Sequence, residues 1–92
     1  MTYTLELTKT ALEDTEKHKK AGDKAVLGKI EKLLIELTEH PRSGTGQPKQ
    51  LKHELEGLYS RRINQKHRLV YDIQDEIVTV FVLSAYGHYD DK

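Results

Sequence analysis

The cationic side chains of Lys49, Lys52, Arg61, Arg62 and Arg68 gather between Gly44 and Tyr71 around a Gly-rich loop and an expected hairpin, and Gly87-His88-Tyr89 almost closes the sequence. These residue types are the equipment for cutting RNA without a metal or any other cofactor. The strand's own 2′-hydroxyl can attack the neighbouring phosphorus if one group takes its proton, others stabilise the added charge on the phosphate, and an acid protonates the departing 5′-oxygen. Arg62 and Arg68 flank a short turn, so a two-stranded pairing would bring two planar guanidinium forks near one phosphate. A histidine titrates near pH 6.5, which lets His88 donate a proton around neutrality. Tyr86 or Tyr89 could stack on a base or position a phosphate, while Lys49, Lys52 and Arg61 add to the attraction for a polyanion.

Ordinary roles are open to the same residues. A His-Tyr pair this close to the end of the sequence fits a solvated end. Ser60-Arg61-Arg62 fits the exposed face of an edge strand, Tyr59 and Tyr71 fit core or rim aromatics, and His53 and His67 fit local hydrogen bonding. The five histidines, at 18, 40, 53, 67 and 88, show no short paired spacing, so no metal site is expected.

The charge distribution favours a localised site. Residues 1–41 carry seven Lys and Arg against eight Asp and Glu, residues 42–68 carry seven against two, and residues 69–92 carry one against five. The formal net charge of zero therefore hides a middle third at +5, and a local basic patch concentrates a polyanion whatever the overall balance. The absence of cysteine excludes a disulfide framework and thiolate metal sites. With 92 residues, a single domain spanning 1–92 is expected. The opening Met-Thr-Tyr-Thr carries no basic-then-apolar leader, and the longest apolar run, Ile77 to Leu83, falls well short of the ~20 residues that span a bilayer. The expectation is a soluble protein of the cytoplasm with no membrane partner.

The elements that must position these residues follow from periodicity. Tyr3, Leu5 and Leu7 alternate with Thr4 and Glu6 as a half-buried strand. Thr8 or Thr10 can cap a first helix running to about Lys20, with Glu13 placed for a capping box after Thr10. Its apolar stripe is thin, since Ala11 and Leu12 are nearly all it has. Val26, Leu27, Ile30, Leu33, Leu34 and Leu37 mark one face of a second helix, which Pro41 ends. Residues 42–50 read as a loop, and 58–63, 67–73 and 77–83 as three strands joined by polar turns. The order β-α-α-β-β-β predicts an α+β fold, with two helices in the N-terminal half packed on one face of a small antiparallel sheet and the other face open to a ligand.

The run from Gly44 through Gln47-Pro48-Lys49-Gln50-Leu51-Lys52-His53, Gly57-Leu58-Tyr59-Ser60-Arg61-Arg62-Ile63 and His67-Arg68-Leu69-Val70-Tyr71 resembles the signature of the YoeB/Txe toxins, a branch of the RelE/ParE superfamily. The closing His88-Tyr89, the length and the order of elements resemble that family too. The resemblance implies the RelE/YoeB-like microbial ribonuclease fold. It also implies the toxin of a type II toxin–antitoxin system, a ribosome-dependent endonuclease that cuts messenger RNA in the A site and inhibits translation. Lys52, Arg62 and Arg68 match the family's phosphate and transition-state contacts, His88 its general acid and Tyr89 its terminal tyrosine. The implied partners are the ribosome and messenger RNA, a cognate YefM/Axe-like antitoxin and a second copy in a homodimer.

Lys49 stands where the family places a glutamate base. An ammonium accepts no proton, so a base role requires Lys49 to lose its own proton first, which positive charge on Lys52, Arg62 and Arg68 favours. The other readings are that Glu54 or another carboxylate serves from a shifted position, or that the chain is a catalytically weakened antitoxin- or ribosome-binding module. A gyrase-directed toxin of the ParE type shares the implied fold, and the Ser-Arg-Arg and His-Tyr elements count against it.

Overall fold

The computed structural model describes residues 2–87. The chain runs β1 (Thr4–Leu7), α1 (Lys9–Lys20), α2 (Lys24–Glu39), β2 (Lys49–Gln50), β3 (Tyr59–Arg62), β4 (Arg68–Gln74) and β5 (Thr79–Ser84). One-turn 3₁₀ helices at His53–Leu55 and Asp75–Ile77 interrupt the connections.

Local chemistry explains the helix ends. The Thr8 hydroxyl accepts from the Ala11 amide at 3.1 Å and donates to the Leu83 carbonyl at 3.0 Å, so the cap of α1 also ties it to β5. With Thr8 as the cap, the third helical position is Ala11, and the Thr10–Glu13 capping box has no part in it. The Asp23 carboxylate caps α2 by accepting from the Val26 amide at 3.1 Å. Pro41 follows the His40 cap of α2, as expected.

The sheet order is β1-β5-β4-β3-β2. Strands β2 to β5 pair antiparallel, but β1 lies parallel to β5, with Leu5 opposite Val80 and Leu7 opposite Val82. The sheet is therefore mixed rather than antiparallel, because alternation in residues 3–7 specifies a half-buried strand and carries no information about its partner's direction. A second difference is β2, two residues inside the segment expected to be a loop. It pairs Lys49 with Ser60 and Gln50 with Tyr59.

Ala11 of α1 and Val26, Ile30, Leu33 and Leu37 of α2 cover one sheet face, meeting Leu69, Tyr71, Val80 and Val82. Leu33, Leu37 and Leu69 are fully buried, each contributing roughly 2 kcal/mol of transfer free energy. Leu12 does not join this core; it is exposed, and the buried face of α1 is completed by Asp14 and His18. Among the described residues, no helix is long and apolar enough to cross a membrane.

Candidate functional site

Strand register brings three of the expected cations to one surface. Arg62 lies directly opposite Arg68 across β3 and β4, and Lys49 lies opposite Ser60, two residues before Arg62. Side chains alternate between faces along a strand. Tyr59, Arg61 and Ile63 therefore point with Leu69 and Tyr71 toward the helices, whereas Lys49, Arg62 and Arg68 share the opposite, open face. Strands lie about 4.8 Å apart and residues i and i+2 about 7 Å apart, so one phosphate group can come within reach of all three side chains.

Like charges directly opposed across a sheet destabilise it, and the structure relieves one of them. Arg68 is half-buried, and its Nη1 donates to the carbonyls of Asn64 at 2.7 Å and His67 at 3.2 Å. Arg62 is exposed, with its amide anchored on the Gly46 carbonyl at 2.6 Å. The Gly-rich loop is thereby laid against the backbone of the strand that carries Arg62.

Arg61 does not belong to this surface, a correction to its expected place among the phosphate contacts. It is 0% exposed. All five of its N–H donors meet oxygens: Nε donates to the Tyr71 hydroxyl at 3.1 Å, Nη1 to Glu36 Oε1 at 3.1 Å and the Thr45 carbonyl at 3.3 Å, and Nη2 to the His40 carbonyl and the Ser43 carbonyl, the last at 2.7 Å. A buried guanidinium is tolerable only when satisfied in this way. Tyr71 in turn donates to the Pro41 carbonyl at 2.9 Å, while burial pushes its phenol up and Arg61 opposes that rise. Hydrogen bonds from Thr45 hold the Glu36 carboxyl below the usual carboxylate range, with the Arg61 charge adding to the effect. Arg61 thus organises residues 40–45, the entry to the loop that carries the site. Period-2 alternation was the available signal, since Arg61 and Arg62 cannot face the same way in a strand. The reading of Ser60-Arg61-Arg62 as an exposed edge face fails for the same reason: Ser60 and Arg61 are buried and β2 takes the edge.

Lys52 and Glu54 are exposed beyond the end of β2, Lys52 as the cap of the His53–Leu55 turn and Glu54 within it. Tyr86 is 49% exposed, and its ring packs on those of His18 and His67 at centroid distances of 5.0 and 4.7 Å, with the Lys17 ammonium 4.9 Å from its centre. His88 and Tyr89 lie outside the described residues. The residue before them, Gly87, accepts from the Arg68 amide at 3.0 Å, so the described chain ends beside the cationic cluster.

His67 does hydrogen-bond, but not locally as expected: its Nδ1 accepts from the Gly87 amide at 2.9 Å, beyond the end of β5 in the chain. Asp14 and His18 escaped the sequence reading, although with Ala11 they recur at i, i+3 and i+7 on one helical face. Polar residues on a helix stripe carry no apolar signal, so the face looked thinner than it is.

The model of a family described as the YoeB-like toxin of bacterial type II toxin–antitoxin systems matches residues 7–89. The chain is 44% identical over 69 residues to the toxin YoeB of Mycobacterium bovis, an overlap of 75% of this chain and 79% of that protein. It superposes on the YoeB dimer from Staphylococcus aureus with a TM-score of 0.82 at 34% identity, covering 97% of this chain and 100% of that one. The heterotetrameric YoeB–YefM toxin–antitoxin complex from the same organism gives a TM-score of 0.80, also at 34% identity and with 97% and 100% coverage.

Proposed function

This chain belongs to the YoeB-like toxin family of bacterial type II toxin–antitoxin systems, and from that membership we propose that it is a ribosome-dependent endonuclease that cuts messenger RNA in the A site and so inhibits translation. The observation that carries the proposal is Arg62 facing Arg68 across two strands, with Lys49 on the same open face. Two guanidinium groups held on a sheet are placed before the substrate arrives, and such preorganised charge acts most strongly where the transferring phosphate gains negative charge.

In the proposed reaction the 2′-oxygen attacks the adjacent phosphorus and gives up its proton to a base, Lys49 in its neutral form. The bond from phosphorus to the 5′-oxygen breaks, and His88 protonates that oxygen as it leaves. The products are a 2′,3′-cyclic phosphate and a 5′-hydroxyl. Arg62 and Arg68 neutralise the phosphorane, Lys52 adds attraction for the RNA backbone, and Tyr86 and Tyr89 offer aromatic surfaces to the strand. The partners proposed for the chain are a YefM-like antitoxin, whose flexible acidic segment folds over the basic face, and a second copy of itself, as in the S. aureus relative.

Lys49 in place of glutamate favours one other reading, a binding module that occupies its partners without cutting. Primer extension on ribosomes stalled with an empty A site separates the two. The endonuclease reading expects cuts by the unaltered protein and a loss on the order of 10²-fold in Lys49→Ala. Cuts by Lys49→Glu alone would establish the binding module.

A further inference from the structure

Four backbone groups just before the His88–Tyr89 pair are held by side chains and backbone from two other parts of the chain, α1 and the start of β4. Beyond Ser84 the ladder of β5 ends, yet neither polar group of Ala85 is left to solvent. Its amide donates to Asp14 Oδ2 at 2.9 Å, and its carbonyl lies 2.8 Å from His18 Nε2, which must carry the proton to donate there. Two residues on, the Gly87 amide donates to His67 Nδ1 at 2.9 Å and the Gly87 carbonyl accepts from the Arg68 amide at 3.0 Å. Between them, the Tyr86 ring rests on both imidazoles, which meet edge to face at 4.5 Å.

The clamp is set from the protein side. Asp14 and His18 are 5% and 3% exposed and sit one turn apart on α1, whose cap already grips Leu83. Gly87 then turns with φ +77°, the left-handed region where a side chain is disfavoured. The turn leaves the chain beside Arg68.

We propose that Asp14, His18 and His67 are positioning residues, which lock the Ala85–Gly87 backbone beside Arg68 and so fix the point from which the chain goes on to His88. The proposal rests on the endonuclease reading for its catalytic consequence. None of the three side chains need touch RNA. Nearly buried, Asp14 and His18 act through the peptide they hold, and a displacement of about 1 Å in a reacting group is enough to lower a rate on the order of 10²-fold.

The test uses the full chain with empty-A-site ribosomes and compares Asp14→Ala, Asp14→Asn and Gly87→Ala with the unaltered protein. Asparagine keeps an acceptor for the Ala85 amide and alanine does not. A methyl group at Gly87 meets nothing within 4 Å, so that variant changes only the turn and serves if Asp14→Ala does not fold. Single-turnover cleavage at saturating ribosome is expected to fall on the order of 10²-fold in Asp14→Ala and Gly87→Ala. Ribosome affinity should stay within about twofold, and Asp14→Asn should recover most of the rate. In parallel, ¹⁵N relaxation should show the amides of Ala85 and Gly87 losing order in Asp14→Ala while those of α1 keep theirs. Full cleavage in Asp14→Ala and Gly87→Ala, equal loss of cleavage and ribosome affinity, or unchanged order at Ala85 and Gly87 would each overturn the proposal. If the unaltered protein cuts no messenger, the endonuclease reading fails, and the relaxation comparison alone decides whether the clamp exists.

Discussion

Arg61 and Arg62 are neighbours in sequence and differ in every physical respect that matters to their roles. Arg61 is sealed among five oxygens, while Arg62 stands on the open face across from Arg68. Removing one member of a buried pair strands the groups that faced it, so Arg61→Ala is expected to lower stability by about 3–5 kcal/mol, read as a shift in the urea midpoint. Arg62→Ala should leave that midpoint within about 0.5 kcal/mol of the original. Its effect should fall on cleavage, by about 10²-fold under saturating ribosome. If the two substitutions changed stability alike, the division between a structural and a functional arginine would be wrong.

Two left-handed residues govern how the elements meet. Gly46 has φ +86°, and a Cβ there would lie 2.8 Å from the Arg62 carbonyl, a backbone atom that cannot swing aside. Gly46→Ala should therefore destabilise by about 2 kcal/mol and loosen the loop beside Arg62. Circular-dichroism melts check the first effect. Val78 has φ 48° at the end of the turn into β5, where a β-branched side chain is strained, yet its carbonyl accepts from the Thr4 amide at 2.9 Å and helps seat β1. Asparagine tolerates that conformation better, so Val78→Asn is expected to raise stability by about 1 kcal/mol, or roughly 4–8 °C in Tm for a domain of this size. An unchanged or lower Tm would mean that the packing of the valine outweighs its backbone strain.

Over the whole molecule, two carboxylates join segments distant in the chain. Asp75 accepts from the Arg42 guanidinium through both its oxygens, at 2.7 and 3.3 Å, and from the Tyr3 hydroxyl at 2.6 Å, linking β1, the loop after α2 and the β4–β5 turn. Arg42 first and Tyr3 second hold its carboxyl below the ordinary range, as Thr45 does for Glu36. A depressed folded pKa contributes stability that is complete above the unfolded value and disappears as pH falls through the folded one. The urea midpoint should accordingly be level from neutrality to about pH 5 and fall below that, with a shallower fall in Glu36→Gln. By itself the sequence determined the two helices, a capping hydroxyl at Thr8 or Thr10 for the first of them, three of the strands with their turns, the half-buried first strand, and the positions of the candidate cations. Periods of 2 and 3.6, prolines and capping hydroxyls act within a few residues and so are written locally. Only the tertiary structure decided that β1 runs parallel to β5, that Lys49 and Gln50 add an edge strand, that Arg61 turns inward while Arg62 meets Arg68, and that Asp14 and His18 hold Ala85. Those outcomes depend on hydrogen bonds between groups 71 residues apart and more, which form only once strand register and helix packing are chosen together, and no local period encodes that choice.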